Sequence, residues 1–304
     1  MRILVLGGTG WVGHHIALAC ARFAHDVTVC SRGRKSDYVD ELGVEFRMIT
    51  ADKSDANDMR RVLADPYEVI IDSVPTEKSI ELVFAQARGL THYVHCSSTG
   101  GYAPLPAIPG DETMPYDEFE GGWRQKQVVD AKALDLHVRE GFPATVLRPS
   151  YITGPGLLPL DNVGGRREDF LSDILAETTL DLPNDGQALL HPVHVRDLVE
   201  AFALAAREPR SIGQIYNVCL EKAVTLTRYL QITAESLGRV AHITYVPLEE
   251  MLAKHGDRIE TRGLRFLATH MCYDISKAKA QLGYRPSLST EQAIAETARW
   301  AAPV

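Results

Sequence analysis

Gly7, Gly10 and Gly13 recur three residues apart in GGTGWVG, and that spacing implies a chemistry. They lie between an Ile-, Val- and Leu-rich run (residues 2–6) and a segment (14–23) with Ile16, Ala17, Ala19, Cys20 and Phe23 at helical spacing. A turn from a buried strand into a helix needs glycine where the backbone reverses, where a pyrophosphate approaches and where helix packs on strand. The free N–H groups and positive dipole end of the helix then face an anion over Gly10, Trp11 and Val12, with Thr9 alongside. This is dinucleotide-binding chemistry. The alternative is a glycine-rich turn that any α/β protein could carry, and the strand before and helix after favour the first reading.

Further polar groups follow successive apolar runs. After residues 25–30 (HDVTVC) come Ser31, Arg32, Gly33, Arg34 and Lys35. An NAD-selective site places a carboxylate there for the ribose 2′-OH; three cations and no acid favour a 2′-phosphate, hence NADP(H) over NAD. Arg32 would pack on adenine and phosphate, with Arg34 secondary, unless the stretch is simply a solvated basic loop. Asp52 and Lys53 follow the run at 44–50, where Asp52 could accept from the adenine amino group, or Asp52 or Ser54 could cap the next helix. Ser73, Val74 and Pro75 follow residues 67–72, at the sheet edge where such folds bind ligands. Ser97, Ser98 and Thr99 follow residues 90–96, as hydroxyls suited to a substrate carbonyl or hydroxyl, or as turn formers.

The elements needed to position these groups alternate strand and helix, with right-handed crossovers and parallel pairing. The expected fold class is α/β, a Rossmann-type doubly wound parallel sheet with a smaller C-terminal substrate lobe. Residues 1–155 and 191–220 would form the dinucleotide domain, and 156–190 with 221–304 the substrate lobe. Residues 103–120 read as a long Pro- and Gly-containing acidic loop, functional or mobile. A sixth strand is expected at 144–147 and another at 214–219, with helices at 169–178, 194–207, 226–237, 248–255 and 276–282. Asp197 would cap or pair locally. Arg166 and Arg167 could grip a phosphate or be surface charges. His191 and His194 lack partners at metal-ligand spacing, so no metal is expected.

At 304 residues, with 45% hydrophobic and 24% charged content, the chain can bury a sizeable core. A net charge of −8 argues against nonspecific nucleic-acid binding. The five cysteines (Cys20, Cys30, Cys96, Cys219, Cys272) are widely spaced within mostly apolar segments and read as free thiols of a reducing compartment. No secretory pattern precedes the first strand and no apolar stretch approaches a membrane span, so a cytoplasmic protein is expected.

GGTGWVG (7–13), CSSTGGY (96–102), LRPSYITGPG (147–156), HPVHVRDLVEAF (191–202) and YDISKAKAQLGYRP (273–286) together resemble the short-chain dehydrogenase/reductase superfamily, in its extended branch of nucleotide-sugar epimerases and dehydratases. The chain is similar within it to an atypical subgroup of isoflavone reductase-like and chloroplast stem-loop-binding-like proteins. The resemblance implies a catalytic Ser98, and an active-site helix whose Lys falls on Lys126 and whose acid falls on Asp130. It implies that Lys126 holds the nicotinamide ribose and that Pro149 and Tyr151 border the nicotinamide. The family's tyrosine, which exchanges a proton with the substrate oxygen, falls on Gly122, and losing such a group costs ~10²- to 10⁴-fold. Tyr102, Tyr116 and Tyr151 are candidate replacements or packed aromatics, Tyr116 first because its loop could fold over the site. Lys126 and Asp130 could otherwise be an exposed helix pair. The resemblance also implies a nucleotide-sugar or similar small-molecule substrate and a homodimer through two long helices. A catalytically silent cofactor sensor, or an RNA-associated protein, is the alternative.

Overall fold

The computed structural model describes residues 1–23, 25–33, 46–102, 104–115, 124–256 and 261–303. Its first six strands are β1 (Arg2–Leu6), β2 (Asp26–Ser31), β3 (Arg47–Thr50), β4 (Val69–Asp72), β5 (His92–Cys96) and β6 (Ala144–Pro149). Helices α1 (Trp11–Arg22), α2 (Ala56–Val62), α3 (Glu77–Gln86) and α4 (Arg124–Glu140) follow β1, β3, β4 and β5. Next come β7 (Tyr151–Thr153), α5 (Phe170–Leu175), β8 (Leu180–Pro183), β9 (Leu189–Leu190), β10 (Pro192–His194) and α6 (Val195–Arg207). The remainder is β11 (Ile215–Val218), β12 (Val224–Thr225), α7 (Leu226–Ser236), β13 (Ile243–Val246), α8 (Leu248–His255), α9 (Thr261–Leu267), α10 (Ser276–Leu282) and α11 (Thr290–Ala301).

Seven strands join in the order β11-β6-β5-β4-β1-β2-β3, every pairing parallel. Side-chain alternation divides the core between the two faces. Ile3 and Val5 enter one apolar cluster with α1 and α6, while Leu4 and Leu6 enter another with Met59, Ile80 and Val129. This is a Rossmann-type, doubly wound α/β sheet. Its strand order reverses between β1 and β4, which opens a crevice above their carboxyl ends.

Among the described residues three two-stranded sheets lie outside it: β7 with β10, β9 with β12, and β8 with β13. The last pair joins residues 180–183 to 243–246 in parallel register, so two distant stretches share one small unit. The first cluster continues from Val5 into Leu180, Leu182, Tyr229 and Met251 without interruption.

Several boundaries differ from the sequence reading. Helix α1 begins at Trp11, directly after Gly10, rather than at residue 14. Strand β6 runs on to Pro149, and α6 starts at Val195 with His194 as its cap. Neither Asp52 nor Ser54 caps α2: Asp55 does, accepting from the Asn57 and Asp58 amides. Asp197 reaches 90 residues along the chain, accepting from the Ser287 amide at 2.8 Å. The described part of the long loop, 104–115, is anchored by Gly110, which donates to Cys272 O and accepts from the Asp274 amide, each at 2.9 Å. Glu112 accepts from the Asn217 amide on edge strand β11 at 2.8 Å.

Candidate active site

The glycine turn is built by contacts that leave no room for a side chain. Gly7 has φ +77°, and a Cβ there would lie 2.6 Å from Ser73 Oγ. That hydroxyl donates to Leu6 O at 2.9 Å and Gly7 O at 3.2 Å, tying the end of β4 to the end of β1. A Cβ on Gly13 would lie 2.3 Å from Gly7 O, so the helix packs directly on the turn. Gly10 caps α1 without a side chain, and the first turn carries no acidic residue. The amides there therefore fit a ligand phosphate, as a bare helix N-terminus does.

A groove of about 460 Å³ opens beside this turn, lined by Gly7, Thr9, Gly10, Ser31, Arg32, Asp52, Lys53 and Val74 among others. The crevice between the strand ends thus gathers eight of the residues singled out in the sequence. Arg32 is exposed at its rim and Ser31 is buried, its Oγ accepting from the Gly33 amide at 3.3 Å. Arg34 and Lys35 lie outside the described residues. Asp52 turns on itself, accepting from the Ser54 amide at 2.9 Å. Lys53 crosses from the end of β3 to the end of β4, donating to the fully buried Asp72 at 2.5 Å and also to Val74 O. Asp72 accepts further from Ser79 Oγ at 2.8 Å and Tyr93 OH at 3.3 Å. Burial, with the Asp72 charge adding to it, pushes the Tyr93 phenol well above its ordinary pKa.

A second group of residues sits where β5 ends. Ser98 follows the strand and leads into a 3-10 turn, Thr99–Tyr102; its Oγ accepts from the Gly100 amide at 3.1 Å. Lys126, in the first turn of α4, donates to Cys96 O at 3.4 Å. Asp130, one turn on, is buried rather than half of an exposed pair: it meets His95 Nε2 at 2.8 Å, Ser97 Oγ at 2.8 Å and Arg148 Nε at 2.9 Å. Burial alone would raise its pKa, but His95, Arg148 and Ser97 together hold the carboxyl below its usual range. The sequence did carry a signal for this cluster. His95 interrupts an apolar strand, and Asp130 shares a helix face with Val129 and Ala133, both buried.

Pro149 ends β6 against Val218, and Tyr151 begins β7. Tyr102 is fully buried and its OH accepts from Arg148 Nη1 at 2.5 Å, so its ring packs inside the protein. The Tyr151 ring lies beneath the Arg166 guanidinium, 4.5 Å away, and its buried OH has no hydrogen-bond partner among the described residues. Arg166 donates to Leu158 O and Ile152 O, and Arg167 pairs with Asp161, Asp169 and Asp173; both are internal struts. Tyr116 and Gly122 lie outside the described residues. His191 is structural, its Nε2 donating to Leu220 O at 2.7 Å and its Nδ1 accepting from the Tyr273 amide at 3.1 Å. Among the described residues no group of three His, Cys, Asp or Glu side chains is placed to hold a metal ion, and no helix is long and apolar enough to cross a membrane.

Comparison with known proteins places this geometry. The chain is 24% identical over 316 residues to the chloroplast stem-loop binding protein of 41 kDa b of Arabidopsis thaliana, covering 97% of this chain and 78% of that one. It is 26% identical over 325 residues to a UDP-N-acetyl-alpha-D-glucosaminuronate decarboxylase of Bacillus cytotoxicus, covering 98% and 97%. The fold is shared with UDP-glucuronic acid 4-epimerase of Bacillus cereus in complex with NAD, at TM-score 0.79 and 17% identity over 99% and 98% of the two chains. A sequence profile described as the NAD dependent epimerase/dehydratase family matches residues 3–80 and 76–219. With the glycine turn, the parallel sheet and the crevice all in place, the chain belongs to the NAD dependent epimerase/dehydratase family.

Proposed function

We propose that this protein is an NADP(H)-binding enzyme of the epimerase, dehydratase or reductase kind, acting on a hydroxyl or keto group of a nucleotide-sugar or similar small polar metabolite. The observation that carries this reading is the groove beside Gly7 and Gly10, whose β2 side ends in Ser31 and Arg32 where an NAD site would have a carboxylate. Ser73, Val74 and Pro75 border the adenosine, and Trp11, Val12 and Gly13 offer amides to the pyrophosphate. When bound, the nicotinamide would supply hydride transfer. Around it Lys126 would hold the nicotinamide ribose, Ser97, Pro149 and Tyr151 would line the cofactor, and Ser98 would sit at the substrate side. Ser98 orients the substrate oxygen, and Tyr116 supplies the proton that Gly122 cannot.

Residues 1–155 with 191–220 hold the cofactor in this reading, and 156–190 with 221–304 enclose the substrate. The protein works in the cytoplasm as a homodimer; exposed Phe84 on α3 and Val138 on α4 support a pairing through these helices. Titration with NADPH and NADH, then a screen of UDP- and dTDP-sugars for absorbance change at the nicotinamide band, tests it.

Gly122 favours a second reading, a catalytically silent NADP(H) sensor or RNA-associated protein. Tight NADPH binding without turnover of any sugar selects the sensor. The net charge of −8 weighs against direct RNA contact.

A further inference from the structure

Two successive turns of α4 grip the same step of the chain. Lys126 reaches Cys96 O at 3.4 Å and Asp130 reaches Ser97 Oγ at 2.8 Å, immediately before Ser98. Gln127, between them, donates to Gly101 O at 3.3 Å. The far end of the turn is held through Arg148, which donates from Nε to Asp130 and from Nη1 to Tyr102 OH. Its guanidinium also lies 4.9 Å from the Tyr102 ring centroid. Residues 97–102 are thus fastened at both ends to one carboxylate, which also meets the fully buried His95 of β5.

We infer that Asp130 is the positioning residue of the site: it fixes the serine turn and the Lys126-bearing helix in one relative placement, and acts through them rather than by touching a ligand. The physical reason is that a buried carboxylate with three charged or polar donors has a single low-energy arrangement. Removing it frees two elements at once. The inference rests on the cofactor reading above for its consequence at the nicotinamide end.

The test compares wild type with Asp130→Asn, Ser97→Ala, Lys126→Met and the Lys126→Met, Asp130→Asn double variant, all full length. Amide hydrogen exchange of residues 96–102 and 124–130 should quicken in Asp130→Asn, and by less in Ser97→Ala, while residues 11–22 keep their protection. NADPH should bind roughly tenfold more weakly or worse to Asp130→Asn, whereas 2′,5′-ADP, which lacks the nicotinamide ribose, should bind as to wild type. The double variant should lose no more than Lys126→Met alone. Unchanged exchange in the two segments overturns the inference. So does faster exchange with NADPH affinity intact, or equal loss of both ligands with protection lost throughout, which marks a merely structural role. If Asp130→Asn fails to fold, Ser97→Ala decides by the same readings. If wild type binds neither NADPH nor NADH, the cofactor reading falls, and the exchange measurement alone decides whether Asp130 holds the turn and helix.

Discussion

Lys53 Nζ lies 2.5 Å from the Asp72 carboxylate, joining the ends of β3 and β4 beneath the groove. Asp72 is wholly buried and Lys53 partly so, which makes breaking the pair costly in a way that a surface pair is not. Lys53→Met should lower the unfolding free energy by about 3 kcal/mol, because it leaves a buried charge without its cation. Urea denaturation followed by circular dichroism measures it, and a loss within error of zero refutes the pair's importance.

Gly13→Ala places a methyl 2.3 Å from Gly7 O, where only backbone lies nearby. The helix must move off the turn, at about 1–3 kcal/mol of stability. Dinucleotide binding should weaken with it, as calorimetry can show. Gly89→Ala separates the two readings: a Cβ there meets nothing within 4 Å but its φ of +68° is strained, so it should cost about 1–2 kcal/mol of stability while leaving dinucleotide binding unchanged.

Stability should fall in mild acid. Burial pushes the pKa of His92 and of His191 down to about 4, so both stay neutral in the folded protein while an unfolded chain protonates them near 6.5. Between those values the unfolded state binds more protons, and each histidine withdraws up to about 1.4 kcal/mol per pH unit as the pH drops. Above about pH 6.5 and below about pH 4 their contribution is flat. Glu112, whose pKa burial raises, opposes this with a single group. Equal unfolding free energies at pH 7 and pH 5 would contradict the expectation, and His191→Gln should flatten the slope.

The cofactor preference rests on the end of β2. Arg32→Ala should weaken NADPH by roughly tenfold, the loss of a charged hydrogen bond, with little effect on NADH. Ser31→Asp should turn the preference toward NADH, since its carboxylate would accept from a free 2′-OH and repel a phosphate there. Fluorescence titration of both nucleotides against both variants measures this, and parallel losses would show that neither residue reads the ribose.

Turnover tests the proton donor once a substrate is found. Tyr116→Phe should abolish activity, and unchanged activity removes Tyr116 from the mechanism. Gly122→Tyr should raise activity if the remaining geometry is kept, and no gain points to a rebuilt pocket.

The sheet was legible because each strand is a compact apolar run and each active loop follows one directly. The groove was legible for the same reason: Gly7, Ser31, Asp52 and Val74 all sit at carboxyl ends of strands that become neighbours. What sequence could not give was pairing at a distance. The resemblance marked Asp130 as the acid of the active-site helix but left an exposed pair with Lys126 open, because i, i+4 spacing is visible in one helix whereas His95 and Arg148 come from other elements. Asp197 likewise found its partner 90 residues away. Helix α11 was overlooked although Ser289 and Gln292 form a capping box, a signal weaker than a glycine motif but present.

Glu112 has one more implication. By occupying the outward-facing amide of Asn217, its carboxylate blocks the place where an eighth strand would start to zip on. The open flank of a parallel sheet is an invitation to a neighbouring chain, and a negatively charged plug from a distant loop withdraws it. The Asn217 side chain, donating to Gly110 O and Asp274 O at 3.3 Å each, closes the same flank beside the plug, so growth of the ribbon into fibrils is discouraged there.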